Sequence, residues 1–441
     1  MVVTRIPPSP TGRFHIGTAR TALFNYLFTR KEGGKFLFRI EDTDRERSDL
    51  AHEKDIIEGM QWLGLQHDGD IVRQSSRRAR HEELLRKLVA EDRAYLSKEA
   101  SAKVEGEEVE VVRLRNNGVS ITFEDKIRGN ITFDTAELGD FVIGRAIDDP
   151  LYHFAVVVDD ADMGVTHVIR GEDHISNTPR QILIQEALGF SRPIYAHLPL
   201  ILAPDRSKMS KRHGAVSLTE YREEGFLPEA ILNYLALLGW NPGDDREDFT
   251  LEELVKEFDL SRVHKAGAVF DMTKFRSVNQ RWMRKLSDEE YVAKGGLSAP
   301  NEERLLKAVP LLKDRCHVFR EAREMLSGEL SCLFSTPVLD RETLLQKEPA
   351  EAPGTAKTAL EALLPVIEAL PAGASPEAVK EAVMPYADAE EGKRKGGRGG
   401  VLWPLRYALS GAPKSPDPFT LVSILGNDES LSRMRAALAI L

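Results

Sequence analysis

The sequence has only two cysteines among its 441 residues, Cys316 and Cys332, and it has no apolar run long enough to span a bilayer. The cysteines lie too far apart for a compact zinc motif, and they do not indicate a secreted disulfide framework. The first residues enter a predicted strand without a signal-peptide pattern, so we expect a cytoplasmic protein with no membrane partner. A net charge of −10 argues against a protein that coats nucleic acid non-specifically, but not against a local basic face.

The first 44 residues predict a strand, a helix and a second strand. Val2, Val3 and Ile6 indicate a short buried strand, and the proline-rich residues 7–12 indicate a rigid loop. The helix that follows should end at Gly33, where a positive φ is needed, and residues 35–40 alternate as a second strand. Such a unit is the building block of a parallel nucleotide-binding sheet. With 42% hydrophobic residues over 441 positions, we expect several domains.

His15 and Gly17 stand at the predicted helix N-terminus, at the carboxyl edge of the sheet. Free N–H groups and the helix dipole favour anions there. Glycine allows a ligand to approach the backbone, and histidine can donate a hydrogen bond to a phosphate as charge develops. The alternative is that His15 only caps the helix and Gly17 only packs.

A second candidate segment lies far downstream, at residues 208–212, with the sequence KMSKR. Lys208 and Lys211 flank Ser210, and flexible ammonium groups can surround a triphosphate as mobile point charges. Taken alone, the segment is equally typical of a solvated basic loop.

Between these segments the chain departs from the strand–helix pattern. Residues 95–144 contain short alternating stretches at 109–114, 119–123 and 130–133, which indicate a small, mostly β insertion. The apolar run 151–160 predicts a buried strand that ends in Asp159 and Asp160. We expect these carboxylates to cap backbone N–H groups, with metal binding as the alternative. The arginines of residues 73–80 are expected to form a solvated face, with phosphate contact as the alternative.

Four segments together resemble the signatures of bacterial-type glutamyl-tRNA synthetases, which are class I aminoacyl-tRNA synthetases. They are residues 5–12 (RIPPSPTG), 38–44 (FRIEDTD), 164–174 (GVTHVIRGEDH) and 208–214 (KMSKRHG). The resemblance implies a multidomain α/β fold in which a Rossmann-type parallel-sheet catalytic domain carries a small α+β insertion, and all-helical domains follow. Relatives often bind zinc in the insertion through cysteines, but this segment has none, so we expect no zinc.

The resemblance also implies roles for individual residues. The catalytic residues would be His15, Gly17, Lys208 and Lys211. ATP, accompanied by Mg²⁺, would be bound by these four and by Asp173, Leu202, Met209 and Ser210. Glutamate would be bound by Arg5, Pro7, Ser9, Glu41, Tyr152 and Arg170, and tRNA by Arg315 and Arg406. No resident metal site is implied. Two positions depart from the family pattern: Pro7 stands where a smaller residue is common, and Thr18 replaces a signature histidine, which leaves Thr18 a capping or supporting role.

The residue types fit a carboxylate substrate, because a buried carboxylate is costly unless it is paired. Arg5 and Arg170 end two different strands and should meet at one sheet edge, where a guanidinium fork suits a side-chain carboxylate. The alternative for either arginine is a structural ion pair with Glu41, Asp42 or Asp44.

We expect five regions. They are residues 1–94 and 146–215 (the two halves of the catalytic domain), 95–145 (an insertion that binds the acceptor stem), 216–295 (a helical stem-contact domain) and 296–441 (a helical anticodon-binding region). The expected activity is ligation of glutamate to tRNA(Glu), with ATP, by a monomer. Charging of tRNA(Gln) as well is left open. Two alternatives are glutamylation of a modified tRNA base and a catalytically silent tRNA-binding relative.

Overall fold

The computed structural model describes residues 1–44, 46–100, 108–209, 217–391 and 397–441, apart from the side chains of residues 390 and 391. The chain separates into two compact units, Met1–Asn279 and Gln280–Leu441. The first unit combines sheets and helices, and the described part of the second contains helices and no strand. This confirms the predicted fold class. No helix in the described ranges is both long enough and apolar enough to cross a membrane.

The first unit contains thirteen strands and nine helices in its described part. The strands are β1 (Val3–Ile6), β2 (Lys35–Ile40), β3 (Val72–Arg73), β4 (Ala94–Ala100), β5 (Glu108–Leu114), β6 (Ser120–Asp125), β7 (Gly129–Asp134), β8 (Phe141–Ala146), β9 (Asp149–Pro150), β10 (His167–Gly171), β11 (Ile194–Leu198), β12 (Ile201–Leu202) and β13 (Ala268–Val269). The helices are α1 (Ile16–Lys31), α2 (Leu50–Trp62), α3 (Arg78–Ala90), α4 (Tyr152–Asp162), α5 (Thr178–Leu188), α6 (Leu218–Glu224), α7 (Pro228–Leu237), α8 (Leu251–Glu257) and α9 (Met272–Lys285), which runs into the second unit.

The predicted strand–helix–strand unit is confirmed in β1, α1 and β2. Strands β1, β2 and β3 form a parallel sheet in that order. Gly33 has φ +61°, and a Cβ on Gly34 would lie 2.2 Å from the Val2 carbonyl oxygen, so the turn between α1 and β2 requires both glycines. This close turn places the end of α1 against the start of β1.

A second sheet has the order β10-β11-β6-β7, in which β10, β11 and β6 are parallel and β7 is antiparallel to β6. Thr166 joins it to the first sheet, because the Val3 N–H donates to Thr166 Oγ1 (2.8 Å) and the Thr166 N–H donates to the Val3 carbonyl (3.0 Å). The ends of β1 and β10, which carry Arg5 and Arg170, therefore lie at the same edge, as predicted.

The insertion divides between two sheets. Strands β4, β5, β8 and β9 form an antiparallel sheet of their own, whereas the β6–β7 hairpin leaves it and pairs through β6 with β11. All three strands predicted within the insertion are confirmed as β5, β6 and β7, and one 3₁₀ turn, Thr135–Leu138, is the helical segment among its described residues. The hairpin brings Asp125 next to Tyr195 in the register of β11.

The predicted strand over residues 151–160 is wrong, because this segment forms α4. The Ala155 N–H donates to the Leu151 carbonyl (3.1 Å), and every residue from Phe154 to Asp160 is buried. A helix that is covered on all sides has no polar face, so its sequence lacks the 3.6-residue period and looks like a buried strand. Valine's β-propensity is overridden here by tertiary packing.

The described part of the second unit contains helices throughout, as predicted. They are α10 (Asp288–Gly295), α11 (Glu302–Arg315), α12 (Phe319–Ser327), α13 (Arg341–Leu344), α14 (Thr355–Glu368), α15 (Pro376–Glu391), α16 (Gly399–Ser410), α17 (Pro418–Leu425) and α18 (Asn427–Leu438). Its two cysteines, Cys316 and Cys332, are buried and unbonded, and burial raises the pKa of Cys316 to about 12. Both thiols are therefore protonated packing residues.

Candidate active site

His15 caps the N-terminus of α1 through its imidazole. Nδ1 accepts hydrogen bonds from the backbone N–H groups of Gly17 (3.2 Å) and Thr18 (3.4 Å), and Thr18 Oγ1 lies 3.2 Å from Nε2. Because Nδ1 acts as the acceptor, the neutral ring carries its hydrogen on Nε2, which lies beside Thr18 Oγ1 and is the donor of the ring. A Cβ on Gly17 would lie 3.1 Å from the ring, so glycine is what allows this packing.

The chain returns to His15 directly after the lysine loop. The Leu218 N–H donates to the Phe14 carbonyl (2.7 Å), and His15 and Ser217 form an antiparallel bridge. Asp55 fastens both sides of this bridge, since it accepts from the Phe14 N–H (2.7 Å) and from the Thr219 hydroxyl. No local pattern predicts this contact, because Asp55 is 41 and 164 residues from its two partners along the chain.

The described part of the lysine loop ends at Met209 and resumes at Ser217, so Ser210 and Lys211 lie outside the described residues. Lys208 forms an ion pair with Asp173, with 3.0 Å between Nζ and Oδ2. The Met209 N–H donates to the Ile201 carbonyl (3.0 Å), and Leu202 forms a bridge with Lys208. Of the residues expected to bind ATP, Asp173, Leu202, Lys208 and Met209 are thus brought together.

A buried ion-pair network lies at the ends of β1 and β2. Arg5 donates to both carboxylate oxygens of Asp160 (3.0 and 3.2 Å), and Arg39 donates to Asp160 (2.6 Å) and to Glu41 (2.9 Å). Burial alone would raise the pKa of Asp160, but the two guanidinium charges lower it overall. Burial outweighs Arg39 at Glu41 and raises the pKa of that carboxyl. The network pairs two arginines with two acids, and all four side chains are buried.

These contacts argue against one alternative and correct one expectation. Arg5 pairs with Asp160 and not with an acid of the loop at 41–44, where Asp42 accepts from Ser75 and Asp44 from Arg47. Asp159 and Asp160 do not cap backbone groups. The oxygens of Asp159 accept from Gln74, Arg77 and His81, which are side chains, and those of Asp160 accept from Arg5 and Arg39. Because α4 replaces the expected strand, both carboxylates enter the side-chain core.

Arg170, at the end of β10, is buried among neutral acceptors. Its guanidinium donates to Gln181 Oε1 (2.8 Å), His197 Nε2 (3.1 Å), Thr178 Oγ1 (2.9 Å) and the His174 carbonyl (3.4 Å). Burial lowers the pKa of Arg170 below its ordinary value, which is the mark of a cation with little compensation.

Three buried donors in or beside these arginines lack a hydrogen-bond partner among the residues that the structure describes. They are Arg5 Nη1, Arg39 Nε and Gln181 Nε2. A buried donor without a partner is costly, so such atoms mark places where a ligand can bind.

The other residues expected in the glutamate pocket surround this cluster. Tyr152 lies at the start of α4, with its hydroxyl 3.4 Å from His174 Nδ1, and burial raises its pKa. The proline loop that contains half-buried Pro7 and exposed Ser9 lies beside Glu41, whose N–H donates to the Pro8 carbonyl (2.9 Å).

The arginines of residues 73–80 do not form a free solvated face. Arg73 pairs with Glu53, Arg77 with Asp159 and Asp162, and Arg80 with Asp162 and Glu83. Sequence alone cannot show this, because Asp159 and Asp162 come from α4, about 80 residues away along the chain. Arg77 and Arg80 attach the 3₁₀ turn and α3 to α4, and Arg73 attaches β3 to α2.

Two arginines of the second unit were expected to bind tRNA. Arg315 pairs with Glu329 (2.8 Å). Arg406 lies over the Trp403 ring, 4.8 Å from its centroid, and donates to the carbonyls of Pro413 (2.8 Å) and Ser415 (3.4 Å). The guanidinium of Arg406 is thus held in a fixed plane beside an aromatic ring. No group of three or more His, Cys, Asp or Glu side chains in the described ranges is arranged to hold a metal ion.

Comparisons with known proteins cover the whole chain. A family model for the catalytic domain of class I tRNA synthetases (E and Q) matches residues 1–110 and 96–277, and an anticodon-binding domain matches residues 277–438. A glutamate–tRNA ligase of Methylorubrum extorquens is 40% identical, with 98% of each chain covered. One from Francisella tularensis is 37% identical over 99% of each chain.

Solved structures agree with this assignment. The crystal structure of a glutamate tRNA ligase from Elizabethkingia meningosepticum, in complex with its amino acid, matches with a TM-score of 0.83 and 32% identity over 99% of each chain. Matches of this extent and identity, over both the catalytic and the anticodon-binding region, show the family. The chain belongs to the glutamate–tRNA ligases, which are class I aminoacyl-tRNA synthetases.

Proposed function

We propose that this chain joins L-glutamate to the terminal adenosine of tRNA(Glu) in two steps. In the first, a glutamate α-carboxylate oxygen attacks the α-phosphorus of ATP, the bond to the bridging oxygen breaks, and pyrophosphate leaves. In the second, a ribose hydroxyl of the terminal adenosine attacks the activated carbonyl and AMP leaves. The protein would contribute mainly positioning and charge stabilisation and would form no covalent intermediate with the substrate.

The net charge of the buried cluster is the observation that favours glutamate as the substrate. Arg5 and Arg39 between them contact two carboxylates, of Glu41 and Asp160, and Arg170 adds a third buried guanidinium that contacts neither. The cluster so defined has one excess positive charge, and Arg5 Nη1 is a buried donor without a partner in the described part of the chain. A substrate side-chain carboxylate would supply the missing negative charge and accept from this donor.

The roles within the pocket follow from this balance. Arg170 and Arg5 bind the side-chain carboxylate, and Glu41, which already accepts from Arg39 (2.9 Å), binds the α-ammonium group. Tyr152, Ser9 and Pro7 complete the walls. Burial keeps the Tyr152 hydroxyl protonated, so it can donate a hydrogen bond to the substrate.

ATP, taken with Mg²⁺ as its substrate form, would bind at the N-terminus of α1. His15 Nε2 would donate to phosphate oxygens, and Gly17, which has no side chain, would let them approach the helix. Lys208 would leave Asp173 and bind the triphosphate. Leu202 and Met209 would line the adenosine side, and Ser210 and Lys211 would act from the loop. Charge stabilisation by His15, Lys208 and Lys211 would be strongest as the negative charge moves to pyrophosphate.

The second unit would recognise the anticodon. Arg406, held flat beside Trp403, has the geometry for stacking on a single-stranded base, and Arg315 would contribute a weaker contact. Residues 95–145 and 216–295 would contact the acceptor stem and its neighbourhood. A monomeric state and a cytoplasmic location stay predictions, and so does the charging of tRNA(Gln). The two alternatives, base glutamylation and a silent relative, receive no support from relatives that match over the full length and carry the name glutamate–tRNA ligase.

A pyrophosphate-exchange assay tests the activation step. We expect glutamate-dependent exchange between ATP and labelled pyrophosphate when tRNA(Glu) is present, and almost none without tRNA, because the family typically requires bound tRNA. Glutamine in place of glutamate is the control. Exchange that is equally strong with glutamine would contradict the proposed pocket, and robust exchange without tRNA would contradict the required order.

A further inference from the structure

The surroundings of Arg170 differ from those of the other two buried arginines. Arg5 and Arg39 each donate to a carboxylate, whereas Arg170 donates to an amide, an imidazole, a hydroxyl and a carbonyl. Within the described residues no carboxylate forms an ion pair with Arg170. Its positive charge is therefore not balanced by direct contact, although the side chain is almost completely buried.

The imidazole of His197 can accept from Arg170 only in one tautomer. Nδ1 lies 2.6 Å from Asp125 Oδ2, and the His197 backbone N–H donates to the same oxygen (3.0 Å). An ionised carboxylate can only accept, so Nδ1 carries the ring hydrogen and the Nε2 lone pair faces Arg170 Nε. Burial lowers the pKa of His197, which keeps the ring neutral.

Asp125 is itself held rigidly. Its other oxygen accepts from the backbone N–H groups of Ile127 (3.0 Å) and Arg128 (2.9 Å), at the turn of the β6–β7 hairpin. Although burial would raise the pKa of Asp125, its hydrogen bonds lower it overall, so the carboxylate stays ionised. The insertion thus contributes one ionised, fully buried residue, Asp125, to the surroundings of His197 and Arg170.

Gln181 completes the arrangement from α5. Its Oε1 accepts from Arg170 Nη1 (2.8 Å), which leaves Nε2 as a buried donor without a partner in the described part of the chain. The neutral amide of Gln181 holds the guanidinium in place without neutralising its positive charge.

We propose that Gln181, Thr178 and His197 form a neutral cradle around Arg170, with Asp125 fixing the His197 tautomer, and that this cradle sets the preference for a side-chain carboxylate over a carboxamide. The proposal rests on the proposed function, in which Arg170 binds the substrate side chain. Gln181, His197 and Asp125 are positioning residues that act through Arg170. A carboxylate inside the cradle would form an ion pair with Arg170, and the guanidinium would then bind the substrate carboxylate less strongly.

The variant Gln181→Glu tests this directly, because it keeps the size and shape of the side chain and adds one negative charge 2.8 Å from Arg170. Gln185→Glu is a matched control: it lies one turn further along α5, is also buried, and contacts the Tyr195 hydroxyl (3.0 Å) instead of Arg170. We expect Gln181→Glu to weaken L-glutamate binding at least about tenfold relative to the control and to reduce the preference over L-glutamine. The measurement is calorimetric titration with each amino acid, with thermal unfolding to confirm folding.

A second variant keeps the proposal testable if a glutamate at position 181 prevents folding. Asp125→Asn would donate to His197 Nδ1 and so place the ring hydrogen on Nε2, against Arg170 Nε. We expect this variant also to lose about tenfold in glutamate affinity. Its affinity for L-glutamine should fall less, because a neutral carboxamide does not depend on the charge that the cradle leaves on Arg170. A purely structural role for Asp125 would weaken the binding of both amino acids alike.

The titrations separate the cradle from the catalytic proposal. If the unchanged protein binds glutamate in preference to glutamine but charges no tRNA, the proposed function fails and the cradle is still tested by the variants. If Gln181→Glu and Asp125→Asn both bind glutamate as the unchanged protein does, the cradle is overturned. An Asp125→Asn variant that loses glutamate and glutamine binding to the same extent would also overturn it.

Discussion

Arg170→Gln should lower kcat/KM for glutamate activation by about 10²–10⁴-fold. The substitution removes the guanidinium that we assign to the substrate carboxylate, and a buried carboxylate without its cation costs about 3–5 kcal/mol. Arg170 pairs with no carboxylate in the described structure, so its removal does not take a cation from any acid of the protein. The substitution should therefore weaken glutamate binding rather than the stability of the fold. Pyrophosphate exchange in the presence of tRNA(Glu), with glutamate and ATP varied separately, measures the loss of kcat/KM.

Arg192→Gln is the control for this prediction. Arg192 follows α5, is 38% exposed at its side chain and pairs with Glu186 on the surface, so its loss should change kcat/KM by no more than about twofold. If Arg170→Gln is folded and has the same kcat/KM as the control, Arg170 does not bind the substrate. A fall in ATP binding with glutamate binding unchanged would contradict the assignment as well.

His15→Ala should lower kcat for activation by about 10²–10³-fold with little change in the KM for glutamate. The expected loss is that of one donor aimed at charge that develops in the transition state. The same substitution also removes the cap on α1 (Nδ1 to the Gly17 N–H, 3.2 Å), which should cost about 0.5–2 kcal/mol of stability. Single-turnover kinetics and thermal unfolding measure the two effects separately.

His15→Asn distinguishes catalysis from capping at this position. Asparagine is a strong N-cap residue, so it should restore the stability of α1. Its amide is too short to supply the hydrogen-bond donor that Nε2 provides. We expect normal unfolding together with a kcat as low as that of His15→Ala. A kcat that returns with the cap would show that His15 only caps the helix.

The sequence allowed β1, α1 and β2 to be predicted because each of these elements is encoded locally. The proline loop, the helix cap at His15 and the two glycines after α1 are recognisable within a few residues of the element that they end or begin. The placement of Arg5 and Arg170 at one edge followed from the parallel direction of their strands. These predictions needed no knowledge of distant contacts.

The failures concern contacts between distant parts of the chain. Helix α4 was mistaken for a strand because burial on all sides erases its periodicity, and with it the partners of Asp159 and Asp160 were missed. Asp125 and His197 are 72 residues apart, and neither lies in a recognisable motif. Side-chain networks of this kind are set by packing, so local patterns do not reveal them.

The most direct test of the central claim is charging of tRNA(Glu) with labelled L-glutamate and ATP by the purified chain. We predict an alkali-labile ester, formed with intact tRNA(Glu) and absent with tRNA whose terminal ribose has been oxidised by periodate. The residues assigned to glutamate and ATP all serve this product. Alkali-stable incorporation that survives periodate treatment, or no incorporation with intact tRNA(Glu), would contradict the account.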